Sequence, residues 1–346
     1  MNNTNDAKTD NILVEVKNLK KYFKPSRKKF LHAVDDVSFT VREGETLGLV
    51  GESGCGKSTI GNVVMRLVDP TGGTVIYRGA DVFSATGEAK AELNRKMQII
   101  FQDPFSSLNP HKTIRSILSE PYLVQKIGDT KADREKMVLS LCERVGIAKD
   151  LLPFYPHELD GGMRQVVGIA RALSLSADFI VCDEPVSSLD VSVQAKIINM
   201  LMELQRNLGL SYLFISHDLS VVRHISDRVA VMYLGQIVET ASSEVMFNET
   251  MHPYSIALLS AVPRVSINTR VKRIVLKGDV PSPINPPSYC RFAPRCWMAE
   301  ERCFEETPKL MEVSAGHEVA CFNADKAIEM SKDAAKKTIS ANQDSA

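Results

Sequence analysis

The chain has 346 residues, 44% of them apolar, which suits two domains at ~150 residues each or one large domain with an appendage. Its 42 basic side chains balance 42 acidic ones, which argues against an electrostatic clamp on nucleic acid. No run reaches the ~20 apolar residues of a spanning helix, and the polar stretch from Met1 to Asn11 lacks a signal-peptide core, so a cytosolic protein is expected.

From Ile12 to about Thr240, β-rich runs alternate with helical patterns. Strands are predicted at Thr46–Val50, Met97–Phe101, Phe179–Cys182, Tyr212–Ile215 and Val229–Tyr233. A helix is predicted over Ser192–Asn207, with Ile197, Ile198, Leu201 and Leu204 on one face. Such alternation reads as α/β with a largely parallel sheet. Between Asp103 and Gly161 the strand signal stops and helical patterns take over, at Ile114–Gln125 and Arg134–Val145. This predicts a helical insertion over about 104–165 within a core of 12–248. Past Met251, the prolines at 263, 281, 283, 286 and 287 exclude long regular elements, and a separate loop-rich module over 249–325 is expected. The small, polar, charged tail over 326–346 is expected to be disordered.

The segment Gly51-Glu52-Ser53-Gly54-Cys55-Gly56-Lys57-Ser58-Thr59 follows a predicted strand and opens a helix. It fits the phosphate-binding pattern G-x-x-x-x-G-K-[ST]. Glycines let the loop curl so that its N–H groups face a polyphosphate, and the helix N-terminus adds a favourable field. Lys57 then reaches the β- and γ-phosphates, and Ser58 the Mg²⁺. The apolar run Phe179 to Cys182 ends in Asp183-Glu184. Asp183 can hold Mg²⁺ through water, and Glu184 can polarise an attacking water.

Further motifs carry a family resemblance. Leu159-Asp160-Gly161-Gly162-Met163-Arg164-Gln165 resembles the signature segment of ABC ATPases, as do Gln102 after an apolar strand, Ser188-Leu189-Asp190, and Ser216-His217-Asp218. The resemblance implies a P-loop ABC ATPase fold and a head-to-tail dimer sandwiching two ATPs, each bound by one chain's phosphate loop and the other chain's signature. It implies that Gln102 senses Mg²⁺ and the attacking water, and that His217 contacts the γ-phosphate and holds Glu184. It makes Asp190 an organiser of the dimer-interface loop. Phe23, or its neighbour Tyr22, would stack on adenine. The family usually has serine where this chain has Asp160. A carboxylate facing the partner's γ-phosphate at ~4 Å is repelled by ~4 kcal/mol at an effective dielectric near 20, unless the backbone N–H groups of Gly161 and Gly162 suffice.

His252-Pro253-Tyr254, Gly278-Asp279-Val280-Pro281-Ser282-Pro283 and the cysteines Cys290, Cys296, Cys303 and Cys321 resemble the C-terminal hallmarks of oligopeptide/dipeptide/nickel importer ATPases, of the second-ATPase type. Four clustered thiols suit a soft metal in a reducing compartment; the resemblance favours a [4Fe-4S] cluster, with zinc as the alternative. It also implies a heterodimer with a second ATPase, two transmembrane permeases, an extracytoplasmic binding protein, and a peripheral position on the cytoplasmic face of the membrane. Peptides are the expected cargo, with nickel or short sugars as alternatives. A soluble ABC ATPase acting on DNA or ribosomes is the competing class. Such proteins usually carry two cassettes, a coiled-coil insertion or a basic surface, and none is seen here, so no nucleic-acid partner is expected.

Overall fold

The computed structural model describes residues 11–261, 274–276 and 278–326. The expected tail lies, from residue 327 on, outside the described residues, as does the proline at 263.

The chain starts with a long antiparallel hairpin, β1 (Ile12–Ser26) and β2 (Lys29–Arg42). Val14, Val16, Val37, Phe39 and Val41 turn inward in the alternation a half-buried sheet requires. The next strand, β3 (Thr46–Val50), is buried along its whole length and feeds a glycine-rich loop and helix α1 (Lys57–Val64). Strands β4 (Gly72–Tyr77) and β5 (Ala80–Asp81) complete a four-stranded sheet in the order β2-β1-β4-β5. Helix α2 (Gly87–Lys96) then leads to β6 (Met97–Ile100).

The insertion comprises α3 (Pro104–Ser107), α4 (Ile114–Val124), α5 (Lys131–Val145) and α6 (Gly161–Leu173). Helix α5 starts one turn before the predicted Arg134. The Thr130 hydroxyl accepts the Asp133 N–H while the Asp133 carboxylate accepts the Thr130 N–H, a reciprocal cap. Ile117, Leu118, Val138, Leu141, Val167 and Ala170 fill the space between these helices.

The chain returns to the core through β7 (Phe179–Asp183), α7 (Val191–Leu208), β8 (Ser211–Ser216), α8 (Leu219–Ile225), β9 (Arg228–Tyr233) and β10 (Gln236–Ser242). It then forms α9 (Ser243–Asn248), α10 (Pro253–Ser260), β11 (Met311–Ser314) and β12 (His317–Val319). Helix α10 tolerates its proline because Pro253 occupies the first turn, where no intrahelical N–H is needed. The second sheet has the order β11-β12-β10-β9-β3-β8-β7-β6, with parallel pairing from β6 through β7, β8 and β3 to β9. Five parallel strands therefore end on one edge, where open α/β sheets bind their ligands.

Over its described residues the C-terminal segment has few regular elements, and the sheet does not stop at its start. Strand β12 pairs with β10 through Glu239 with Val319 and Thr240 with Glu318. Ile284 also bridges to Leu31 on β2.

Candidate nucleotide site

The carboxyl edge of the parallel strands carries the chemistry. The phosphate loop follows β3, Gln102 follows β6, Asp183 ends β7 with Glu184 next, and His217 follows β8. Folding thus converts four separate stretches of sequence into one site. They face a cleft of about 520 Å³ lined by Phe23, Ser53, Lys57, Gln102, Glu184 and His217, together with the rest of the loop from Gly54 to Thr59. That volume is within the ~300–1,000 Å³ of small-molecule sites.

Glycine is required by close approach at two loop positions. A Cβ on Gly51 would sit 2.2 Å from the Met232 carbonyl oxygen, and one on Gly56 2.0 Å from that of Ala33. Both residues also have positive φ, at 156° and 111°. The buried Lys57 ammonium donates to the carbonyls of Gly51 at 2.8 Å and Glu52 at 3.1 Å. The Cys55 thiol beneath it is pushed up in pKa by burial.

Glu184 is the focus of the site. One of its carboxylate oxygens, Oε2, accepts from Gln102 Nε2 at 3.1 Å and lies 3.1 Å from His217 Nδ1. Its backbone is in the left-handed region at φ 46°, a strained conformation that functional sites tend to store. Beside it, Asp183 Oδ1 accepts from the Ser58 hydroxyl at 2.8 Å. Burial pushes the Asp183 carboxyl above its ordinary range, and the Ser58 bond pulls the other way. A hydroxyl and a carboxylate converging at the foot of the phosphate loop are hard oxygen donors of the kind Mg²⁺ takes, with phosphate and water oxygens supplying its remaining positions.

Of the two candidate aromatics, Phe23 is exposed and lines the cleft. Tyr22 is not among the lining residues. Its hydroxyl bonds Asp35 and its ring stacks on His32 at 4.0 Å. The signature residues Asp160, Gly161 and Gly162 and the loop residue Asp190 do not line this cleft either. Asp160 caps α6 by accepting the Met163 N–H at 2.7 Å, and Asp190 caps α7 by accepting from Ser192 and Val193. A Cβ on Gly162 would meet Val193 Cγ1 at 2.6 Å, so the signature packs against the start of α7.

Comparison with known proteins agrees with this architecture. The family described as ABC transporter matches residues 34–187, and that described as oligopeptide/dipeptide transporter, C-terminal region, matches 238–303. The chain is 49% identical over 327 residues to a dipeptide transport ATP-binding protein of Haemophilus influenzae, covering 93% of this chain and 100% of that one. It is 48% identical over 325 residues to an oligopeptide transport ATP-binding protein of Bacillus subtilis, covering 91% and 98%. The chain belongs to the ABC transporter family, in its oligopeptide/dipeptide branch. It is an ATPase of that family. Its fold matches a dimeric ATP-binding cassette in a post-hydrolysis state with ADP and Pi, with a TM-score of 0.61 and 27% identity over 67% of this chain and 99% of that one. Among the described residues, no helix of this ABC ATPase is long and apolar enough to cross a membrane.

The four C-terminal cysteines are brought to one place by the fold. Cys290, Cys296, Cys303 and Cys321 line one cavity together with His252. Among the described residues, however, no three His, Cys, Asp or Glu side chains are arranged to hold a metal ion. Burial raises the thiol pKa of Cys296 to about 11 and of Cys321 to about 12. The cavity, about 20 Å³, is the size of one water. The iron–sulfur site expected from the sequence is therefore not shown by this arrangement.

Sequence reasoning missed His32, Leu31, Ala33 and Pro283 in the lining of this cassette's cleft. Pro283 arrives from the C-terminal segment, where its carbonyl accepts the His32 N–H at 3.0 Å. No local pattern announces that contact.

Proposed function

We propose that this ABC ATPase is one motor subunit of a heteromeric importer of oligopeptides or dipeptides. It pairs head-to-tail with a second, different ATPase on the cytoplasmic face of the membrane, beneath two permeases supplied by an extracytoplasmic binding protein. The observation that carries the catalytic reading is the shared carboxylate oxygen of Glu184. Gln102 and His217 both converge on Oε2, which leaves Oε1 to accept a hydrogen bond from the attacking water. Lys57 and the curled backbone hold the β- and γ-phosphates, Phe23 stacks on adenine, and Ser58, Asp183 and Gln102 hold Mg²⁺, which neutralises charge on the transferred phosphoryl group.

Two surface features support the assembly. Phe105, Leu123, Val124, Phe154 and Tyr155 are exposed apolar side chains on the helical insertion, as a permease-docking face would be. Val191, beside Asp190, is 81% exposed, as expected at a dimer interface. The cargo assignment is supported by the peptide-transport names of the relatives.

We further propose that the composite site receiving this chain's signature is degenerate. The N-terminus of α6 already carries its own anion, because the Asp160 carboxylate occupies the Met163 N–H. A γ-phosphate from the partner must share that field with a like charge. The test is a reciprocal mutant set in the assembled transporter. Lys57→Ala in this chain is expected to nearly abolish turnover, and the equivalent partner mutation to be milder. Equal losses would mean two equivalent sites, and failure to co-purify with permeases would remove the importer role.

The cysteine segment is read as a soft-metal site because four thiols and an imidazole collect around one cavity. Anaerobically purified protein is expected to carry iron and sulfide with absorbance near ~400 nm. Zinc without colour would replace the cluster, and metal-free protein would remove both.

A further inference from the structure

The phosphate loop is braced from behind by the C-terminal segment. The Arg295 guanidinium makes a two-point contact with the Glu52 carboxylate, Nη1 to Oε2 at 2.9 Å and Nη2 to Oε1 at 3.2 Å. Only a planar fork provides that geometry. The Arg295 side chain is 7% exposed and that of Glu52 27%, so the pair is largely withdrawn from solvent. The guanidinium also lies over the ring of Tyr233, 5.9 Å from its centroid. The Tyr254 hydroxyl accepts the Glu52 N–H at 2.9 Å, and Tyr233, Tyr254 and Phe292 pack as one aromatic cluster. A second arginine of the same segment, Arg291, bonds Asp35 and the Leu234 carbonyl. Gly235, next along, donates to the Cys55 carbonyl of the loop.

Glu52 is an awkward residue for a loop that holds a polyphosphate. Unpaired, its carboxylate would put a negative charge on the loop that holds the polyphosphate. Its carbonyl is also one of the two rests of the Lys57 ammonium, so displacing Glu52 displaces Lys57.

We propose that Arg295 is a positioning residue for ATP: it neutralises Glu52 and fixes the shape of the phosphate loop, which makes the C-terminal segment a working part of the nucleotide site. The inference rests on the nucleotide-site reading above. Because the role is electrostatic, it matters more for nucleotides with more phosphate charge.

The experiment measures ATPase kinetics in the assembled transporter, and binding of ATP and AMP to the full chain. Arg295→Met is expected to raise KM for ATP about tenfold while kcat falls less than about threefold, with ATP affinity losing more than AMP affinity. Adding Glu52→Gln to Arg295→Met is expected to bring KM back to within about twofold of wild type, the coupling a direct pair should give. Arg302→Ala, which breaks the exposed Arg302–Glu306 pair of the same segment, serves as the control. An unchanged KM, equal losses for ATP and AMP, or no recovery in the double variant would each overturn the proposal. If Arg295→Met does not fold, Arg295→Lys carries the test. Its lost fork is expected to raise KM about threefold, and an unchanged KM would again overturn it. Lys57→Ala separates the two levels. Wild-type ATP affinity in Lys57→Ala would sink the nucleotide-site reading itself. Loss there beside wild-type KM in Arg295→Met would sink this inference alone.

Discussion

Glu184 concentrates the consequences of single side chains. Its positive φ and its two neighbours on one oxygen leave it little freedom to turn away from the cleft. Glu184→Gln keeps the size of the side chain and its bond to Gln102 but removes the acceptor charge. ATP hydrolysis by the assembled transporter is expected to fall by about 10²–10⁴-fold, while ATP affinity stays near wild type. An unchanged rate would show that another group activates the water. The same scale explains the choice between adjacent aromatics. Successive strand residues point to opposite faces, and β1 turns Phe23 to the cleft while Tyr22 packs on His32.

At the scale of elements, four helices behind functional loops share one device, whereas α1 behind the phosphate loop follows Gly56 with no side-chain cap. Asp103 caps α3 after Gln102, Asp160 caps α6 at the signature, Asp190 caps α7, and Asp218 caps α8 after His217. Each cap fixes where a helix starts and therefore where the preceding loop lies. Asp160 combines this structural task with the charge proposed to weaken the partner site, and two substitutions separate them. Asp160→Ser keeps a capping oxygen, so stability is expected to hold while hydrolysis at the opposite site rises or stays level. Asp160→Ala removes both cap and charge, and is expected to cost about 1 kcal/mol of stability. Thermal unfolding together with site-resolved nucleotide occupancy checks both outcomes. A lower rate in Asp160→Ser would mean that the carboxylate assists catalysis.

Across the whole molecule, a buried polar junction ties the C-terminal segment to the sheet. Glu239, on β10, accepts from the backbone N–H groups of Met251 and His252 and bonds the His317 ring at 2.8 Å. His252 lies alongside, its Nδ1 accepting the Tyr254 N–H at 3.1 Å. Burial holds the His252 pKa down to about 4, against an opposing pull from Glu239. The sign follows from which state takes the proton. An unfolded histidine, with a pKa near ~6.5, protonates first as pH falls, so the unfolded state gains. Stability from this group is complete above about pH 6.5 and declines toward pH 4, by about 3 kcal/mol in total. The thermal midpoint is expected to drop between pH 7 and pH 5, and His252→Asn, which keeps a capping acceptor without titrating, to flatten that drop. Parallel curves for the two proteins would assign the acid sensitivity elsewhere.

The phosphate loop, the Asp183-Glu184 pair and the core strands were legible in the sequence because each is contiguous. Nine adjacent residues encode the loop, and four or five apolar residues encode a buried parallel strand wherever it is placed. The same locality made Gln102 and His217 recognisable as motif positions, though not as neighbours of one carboxylate oxygen. Only the tertiary structure decided the contacts between distant segments. Arg295 and Glu52 are 243 positions apart, and their pairing depends on a C-terminal segment that adds β12 to β10 and hangs on Glu239. Pro283 reaches the cleft by the same packing. Cysteine spacing likewise reports how many thiols share a segment, not whether they come within ligating reach, since loop geometry and burial set that distance. Local pattern determines elements and motifs; burial and long-range hydrogen bonding determine which of them meet.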